Sequence, residues 1–211
     1  MPKAAEEHKK DAVYKQAKRK GYRARSALKL LDIQKRFNLF KRAFYILDLG
    51  STPGSWLQVA KKFAEDNLLK YNDKYYHRDH YKIMGIDIKN ITPIENINTI
   101  KMDFTTPEFQ IEVKKYFEGE KIDLILSDAS IKKSGNKFSD QAMQIRLCYK
   151  ILELTKILKF KGNFVIKVFQ GADFDDFYHK MKQYFAIVKS LKPKSSNKKS
   201  NDIYLIGLKK K

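Results

Sequence analysis

The chain has 211 residues, of which 43% are hydrophobic, and a formal net charge of +20 from 44 lysines and arginines against 24 acidic residues. This length suits one domain with a buried core, and the apolar runs fall well short of the roughly 20 residues of a membrane-spanning helix, which excludes an integral membrane protein. The single cysteine, Cys148, excludes an internal disulfide and predicts a buried thiol in an intracellular compartment, with mitochondrial, nucleolar and cytoplasmic locations all open.

Residues 1–42 predict a basic helical extension that packs on the following domain. Apolar residues recur at helical spacing between Ala24 and Phe37. Two basic clusters lie far apart along the chain: Lys9, Lys10, Lys15, Lys18, Arg19, Lys20, Arg23 and Arg25, then Lys189, Lys192, Lys194, Lys198 and Lys199. This charge favours nucleic acid as a partner, with solvated surface lysines as the alternative, and the two clusters can converge on one face.

Residues 43–211 predict one α/β domain, because short apolar runs alternate with helical patterns. The predicted strands are Phe44–Leu49, Ile83–Ile88, Thr99–Met102, Ile122–Ser127, Asn163–Phe169, Ala186–Leu191 and Ile203–Leu208. The predicted helices are Ser55–Glu65, Phe109–Phe117, Ser139–Leu158 and Asp173–Phe185. This pattern is typical of a mostly parallel, seven-stranded sheet with helices on both faces. The last two strands have no helix between them, so we expect them to pair antiparallel.

The segment Asp66–Lys82 is a polar and aromatic insertion between the first helix and the second strand of this domain. It contains His77 and His80, which raises the question of a metal site. Two histidines without a cysteine or carboxylate pattern are a weak metal signal, so we predict a surface loop.

A turn that contains Gly50 and Gly54 follows the first predicted strand. Its G-x-x-x-G spacing differs from the G-x-G-x-x-G of dinucleotide-binding proteins, which disfavours a nicotinamide dehydrogenase. The next predicted strands each end in an acid: Asp87, Asp103 and Asp128. Ligands bind at this edge of a parallel sheet, and carboxylates there accept hydrogen bonds from the hydroxyl and amino groups of a nucleoside. The alternative for each acid is a helix cap or a turn.

Lys167 lies inside an otherwise apolar predicted strand, where a lysine is costly unless it is paired. Asp128 ends a strand that we expect to be adjacent, and it therefore offers a partner. Lys29 adds a second cation from the N-terminal helix, and Asp202 adds an acid at the start of the last strand. A snorkelling lysine is the alternative for Lys167.

Five motifs, in order along the chain, resemble those of the RrmJ/FtsJ family of RNA 2′-O-ribose methyltransferases. They are Gly21–Leu30, Asp48–Ala60, Leu124–Asp128, Val165–Gly171 and Lys192–Gly207. The resemblance implies a Rossmann-like class I methyltransferase fold that uses S-adenosylmethionine and no metal. It implies a catalytic tetrad, Lys-Asp-Lys-Glu in the family, on Lys29, Asp128, Lys167 and Asp202. It also implies methyl-donor contacts from Gly54, Trp56, Asp87, Asp103 and Asp128.

The implied reaction is methyl transfer to the 2′-hydroxyl of an RNA ribose, with Lys167 as the base. The pattern Ser200-x-Asp202-x-Tyr204 is similar to that of the ribosomal RNA members. It therefore implies a uridine of large-subunit ribosomal RNA, free or in the subunit, as the substrate of a monomeric enzyme. Transfer RNA and an mRNA cap are the alternative substrates.

Two positions depart from the family pattern. The family usually has Met-Ala-Pro-Asn after the catalytic aspartate, whereas this chain has Ala129–Lys132, and Asp202 stands where the family has glutamate. The altered loop favours another alternative, a catalytically weak RNA-binding factor for ribosome assembly. The retained Lys29, Asp128 and Lys167 favour the enzyme.

Overall fold

Seven strands form one sheet in the computed structural model, which describes residues 12–71, 79–197 and 200–211. The strands are β1 (Tyr45–Leu49), β2 (Lys82–Asp87), β3 (Asn98–Lys101), β4 (Ile122–Ser127), β5 (Leu158–Phe169), β6 (Phe185–Leu191) and β7 (Asp202–Lys210). Their order across the sheet is β3-β2-β1-β4-β5-β7-β6. β7 is antiparallel to β5 and β6, and the remaining pairs are parallel. The predicted fold class is confirmed, including the antiparallel last strand.

Helices cover both faces of this sheet. They are α1 (Ser26–Phe37), α2 (Ser55–Lys70), α3 (Pro107–Tyr116), α4 (Lys137–Glu153) and α5 (Phe174–Tyr184), with a 3-10 turn at Leu154–Ile157. α1 and α2 contribute Ile33 and Leu57 to the buried core on one face. α3, α4 and α5 contribute Phe109, Ile145 and Phe177 to the core on the other face. Successive residues of a strand point into the two cores alternately, because side chains alternate between the faces of a sheet.

The N-terminal segment shares a core with the domain that follows it. Residues 12–19 are helical, and Ala17 is buried with Leu28 and Leu30 in the same cluster as Ile46 of β1. Residues 1–11 lie outside the described part of the chain, so Lys9 and Lys10 of the first basic cluster, and the start of the predicted extension, are not placed. Among the described residues, no helix is both long and apolar enough to cross a membrane.

The predicted loop Asp66–Lys82 is wrong in its first part, because α2 continues to Lys70. Asn67 explains the longer helix: its buried side-chain amide donates to the carbonyls of Phe40 (2.7 Å) and Ala43 (2.9 Å), which ties this turn to the chain before β1. Residues 72–78 lie outside the described chain, so the structure does not address the possible metal site at His77.

Two further features of the sequence can be compared with the fold. Cys148 is buried in α4, as predicted, and burial raises the pKa of its thiol to about 12. The side chain of His80 contacts the hydroxyl of Tyr45 (3.1 Å) and the carboxylate of Asp79 (2.7 Å). Within the described residues, no group of three or more His, Cys, Asp or Glu side chains could hold a metal ion.

Candidate functional site

The turn after β1 forms one wall of a cleft at the carboxyl ends of the strands. Gly50 has φ +75°, and a Cβ at this position would stand 2.6 Å from the Cα of Ala129, which follows β4. Only glycine therefore lets the turn after β1 meet the segment after β4 so closely. The backbone N–H of Gly50 also donates to the carbonyl of Ile86 (2.8 Å), which fixes the turn against β2.

The cleft has a volume of about 360 Å³ and brings together the three acids predicted at strand ends. Its lining residues are Gly50, Thr52, Asp87, Ile88, Lys89, Asp103, Phe104, Thr105, Asp128, Ala129, Ser130 and Leu147. The carboxylate of Asp87 accepts hydrogen bonds from the backbone N–H groups of Thr52 and Lys89, both at 2.9 Å. Asp103 accepts one from the N–H of Thr105 (2.8 Å). These acids therefore stabilise turns and line the cleft at the same time.

The chemistry of this cleft fits S-adenosylmethionine. The adenosine half of that molecule carries ribose hydroxyls and an amino group, which donate hydrogen bonds, and its methionine half carries two cations, a sulfonium and an ammonium, beside one carboxylate. A cleft lined by three carboxylates supplies acceptors for the first set and negative charge for the second. Its apolar members, such as Ile88, Phe104 and Leu147, suit the flat faces of an adenine ring.

Asp48, in β1, is a fourth acid close to the cleft, and it is fully buried. Within the described residues neither of its carboxyl oxygens has a hydrogen-bond partner. Burial raises the pKa of Asp48 to about 8; the Ser51 hydroxyl acts against this shift, and the nearby charges of Asp128 and Asp87 act with it. The side chain is therefore largely a neutral acid at pH 7.

Lys167 and Asp128 are in direct contact, because β4 and β5 are adjacent and parallel. The Nζ of Lys167 lies 3.1 Å from Oδ1 of Asp128 and donates to the main-chain carbonyl of the same residue at 2.6 Å. The Lys167 side chain is 9% exposed, and its ammonium is therefore directed by Asp128 and not by solvent.

Tyr204 completes this cluster, and the sequence analysis missed its contribution. It is the cross-strand partner of Lys167 on β7. Its hydroxyl donates to Oδ1 of Asp128 at 2.6 Å and accepts a hydrogen bond from Nζ of Lys29 at 3.2 Å. Burial, and then the charge of Asp128, raise the pKa of Tyr204 well above its ordinary value, so the phenol keeps its proton and remains a donor. The buried Tyr204 thus links Lys29 to Asp128, and Asp128 in turn holds Lys167.

Gly54 and Trp56 lie behind the cleft and do not line it in the described structure. Gly54 has φ +97° at the start of α2, where a Cβ would stand 2.8 Å from the guanidinium of Arg23. The indole N–H of Trp56 donates to the carbonyl of Ser26 (2.8 Å), and its ring lies 5.7 Å from that of Tyr204. Their predicted contacts with the methyl donor remain predictions.

Arg23 differs from the other members of the first basic cluster. Its guanidinium donates to the carbonyls of Pro53 (3.2 Å), Thr92 (2.5 Å) and Pro93 (2.8 Å). These bonds hold the N-terminal segment, the glycine turn and the segment after β2 together. Arg23 is therefore used in the fold and is less available to an RNA phosphate than its neighbours in sequence.

Asp202, the fourth predicted catalytic residue, lies beside the cluster and pairs with the loop after β4. It faces Phe169 at the end of β5, two residues beyond the Lys167–Tyr204 pair. Its Oδ1 lies 3.8 Å from Nζ of Lys133 and has no hydrogen-bond partner among the described residues. The structure therefore brings Asp202 next to the other three predicted residues without a hydrogen bond to them.

Gln144 of α4 anchors the loop after Asp128, and it too was missed. Its buried amide accepts a hydrogen bond from the N–H of Ile131 (3.1 Å) and donates to the carbonyls of Ala129 (3.1 Å) and Lys167 (3.2 Å). Farther along the loop, Asp140 accepts hydrogen bonds from the N–H and the hydroxyl of Ser134, both at 2.8 Å. The loop is thus held in place by α4.

Comparisons with known proteins identify the family of this chain. The family model of FtsJ-like methyltransferases matches residues 22–210. "Ribosomal RNA large subunit methyltransferase E" of Methanosarcina acetivorans is 40% identical over 95% of this chain and 69% of its own length. The protein of the same name from Acinetobacter baylyi is 35% identical over 95% of this chain and 88% of its own. A solved Plasmodium falciparum protein described as "a ribosomal RNA methyltransferase, putative" superposes with a TM-score of 0.75 at 28% identity, over 90% of this chain and 98% of its own.

Proposed function

The chain belongs to the FtsJ-like methyltransferase family, and from that premise we propose that it methylates the ribose 2′-hydroxyl of a uridine in large-subunit ribosomal RNA. The observation that carries the proposal is the hydrogen-bonded cluster of Lys29, Tyr204, Asp128 and Lys167 at the mouth of the acidic cleft. Asp128 belongs to both the cluster and the cleft lining, so a hydroxyl at Lys167 and a methyl group in the cleft are neighbours.

The methyl donor of this enzyme is S-adenosylmethionine, which supplies an electrophilic methyl group on its sulfonium when it is bound. We assign Asp87 and Asp103 to its hydroxyl and amino groups, because both carboxylates line the cleft and are oriented by backbone N–H groups. Pre-oriented acceptors lose little freedom when a ligand binds, which favours both affinity and alignment.

We assign to Lys167 the removal of the proton from the 2′-hydroxyl. To act as the base the Lys167 ammonium must first lose one proton, after which the amine has two N–H bonds and one lone pair. Asp128 offers acceptors for both N–H bonds through its carbonyl (2.6 Å) and its Oδ1 (3.1 Å), which leaves the lone pair directed at a substrate hydroxyl. Tyr204, whose hydroxyl accepts a hydrogen bond from Lys29, holds Oδ1 of Asp128 in place, so the amine keeps its orientation while the proton moves.

The basic residues support RNA as the substrate. Lys20 and Lys35 of the N-terminal segment and Lys194 of the β6–β7 connection line one groove of about 320 Å³. Ser195 links the two segments, since its N–H and hydroxyl donate to the carboxylate of Asp32 (3.4 and 3.5 Å). Cations from distant parts of the sequence thus adjoin one another, which is the arrangement that a phosphate backbone requires. Lys198 and Lys199 of the second cluster lie outside the described residues.

The alternative of a catalytically weak assembly factor rests on the loop after Asp128. Loss of the family's proline and asparagine predicts a loosely held segment there. Gln144 and Asp140 instead fix this loop through hydrogen bonds to its backbone, and Lys167 keeps its pairing with Asp128. These contacts favour a working enzyme.

The test uses labelled S-adenosylmethionine with separate pools of deproteinised large-subunit ribosomal RNA, large subunits, transfer RNA and capped mRNA. We expect label in one of the two large-subunit pools, in 2′-O-methyluridine after digestion to nucleosides. The Lys167→Ala variant is the control: it should bind the donor normally by calorimetry and transfer no methyl group. Label in transfer RNA or in the cap, or a methylated base, would contradict the proposal.

A further inference from the structure

Lys133 lies in the loop after Asp128, and two side chains from different strands hold its ammonium. The Nζ lies 4.6 Å above the ring centroid of Phe169 and 3.8 Å from Oδ1 of Asp202. Phe169 ends β5, Asp202 begins β7, and the two are cross-strand partners. A lysine whose side chain is 57% exposed is usually free to move, so two contacts on one ammonium indicate a defined position.

The place of this ammonium relative to Lys167 is fixed by the register of the sheet. The Phe169–Asp202 pair follows the Lys167–Tyr204 pair by two residues. Two residues of an antiparallel strand span about 7 Å. A 2′-hydroxyl and the 3′-phosphate are attached to neighbouring carbons of the same ribose. When a ribose presents its 2′-hydroxyl to Lys167, its 3′-phosphate is therefore close enough to reach the rim where Lys133 lies.

We propose that Lys133 binds the RNA phosphate next to the methylated ribose, and that Asp202 and Phe169 are positioning residues that hold its ammonium there. The proposal rests on the function proposed above. The Lys133–Asp202 separation of 3.8 Å is an ion-pair distance and exceeds that of a hydrogen bond, so the N–H donors of the ammonium stay available to a phosphate. The two departures from the family pattern, the altered loop and Asp202, thus adjoin each other at this contact.

The experiment compares Lys133→Gln with Lys132→Gln. Lys132 is the neighbouring exposed lysine, for which the described residues provide no ion pair, so both variants remove the same charge from the same loop. For Lys133→Gln we expect KM for large-subunit ribosomal RNA to rise roughly tenfold, the effect of one charge-assisted hydrogen bond. We expect the slope of log affinity against log salt to fall by about 0.7, as for one phosphate contact on a single strand. Donor affinity and Tm should not change, Lys133→Arg should restore KM, and Lys132→Gln should stay within about twofold of wild type.

Two results would overturn this inference. One is an equal effect of the two substitutions on KM and on the salt slope. The other is a lower Tm or donor affinity for Lys133→Gln with RNA binding unchanged, which would make Lys133 a residue that only stabilises the loop. Equilibrium RNA binding does not require turnover, so measuring it separates the proposed role of Lys133 from the proposed methyl-transfer function. If wild type binds the RNA and methylates none of it, while the Lys133-specific binding loss persists, the proposed function fails and the role of Lys133 stands.

Discussion

Asp48 gives this fold a specific dependence of stability on pH. The carboxyl is fully buried in β1, and its pKa is about 8 in the folded protein against an ordinary value of 3.8. Between these two pH values the folded chain keeps the proton and the unfolded chain has lost it, so the free energy of unfolding falls as pH rises. Below pH 3.8 the effect is absent, and above pH 8 it is complete.

The size of the effect follows from the two pKa values. At about 1.4 kcal/mol per pH unit, a pKa of about 8 in place of 3.8 lowers the free energy of unfolding by about 5–6 kcal/mol once both states are ionised. Between pH 5.5 and 7.5 the expected decrease from this group alone is about 2–3 kcal/mol. That is a large part of the 5–15 kcal/mol typical of a folded domain.

The assay is urea unfolding of wild type and Asp48→Asn at pH 5.5, 6.5 and 7.5, without methyl donor. Asparagine cannot ionise, so we expect the variant to gain about 2–3 kcal/mol relative to wild type across this range. Asp123→Asn is the matched control, because Asp123 is a buried carboxylate that accepts hydrogen bonds from the N–H groups of Phe44 (2.7 Å) and Tyr45 (2.8 Å). Its stability difference from wild type should be constant. If the wild-type and Asp48→Asn curves run parallel, the reasoning about Asp48 is wrong.

Three other predictions follow from the site. Tyr204→Phe removes the hydroxyl that orients the catalytic carboxylate, so single-turnover methyl transfer should slow about 10–100-fold with donor affinity unchanged; an unchanged rate would deny the tyrosine a positioning role. Gln144→Leu removes the side-chain partner of the Ile131 N–H and of the Ala129 carbonyl, and one of the two side-chain partners of the Lys167 carbonyl, so urea unfolding should show a loss of about 2–3 kcal/mol together with slower transfer; full stability would show that the loop does not depend on this amide. Lys18→Glu with Arg19→Glu should weaken RNA binding and spare donor binding, whereas adding Arg23→Glu should also weaken donor binding in calorimetry, since Arg23 holds the glycine turn; equal donor affinity in both variants would contradict that role.

The fold and the cleft could be predicted because their signals are local in the sequence. The alternation of apolar runs with helical patterns places every strand of the sheet within a few residues, except that β5 begins at Leu158 and not at Asn163. The cleft needs only the rule that carboxyl ends of parallel strands meet at one edge, so Asp87, Asp103 and Asp128 could be grouped without any contact being known.

The residues that were missed depend on relations that are not local. Tyr204 reaches Asp128 because it pairs with Lys167 across the sheet, and that pairing requires the register of β7 against β5, which no pattern within either strand specifies. Lys133 reaches Asp202 only through the path of a loop. The role of Gln144 could have been predicted from the sequence. It lies on the same helix face as Cys148, Ile151 and Leu152, and a polar side chain on a buried face indicates a buried hydrogen-bond partner.

The pleat of β7 also explains how an aspartate can stand at the fourth position of the predicted tetrad. Residues 202 and 204 lie on the same face of the strand, because side chains alternate with a period of two. The hydroxyl of Tyr204 binds the carboxylate of Asp128, whereas the carboxylate of Asp202 lies 3.8 Å from the ammonium of Lys133. With a side chain one methylene shorter than glutamate at position 202, Lys167 and Asp128 are in direct contact, and the Asp202 carboxylate pairs with the ammonium of Lys133 at the rim. Asp202 and Lys133 therefore form one ion pair, and a substitution at either position is best measured in a chain that keeps the other residue.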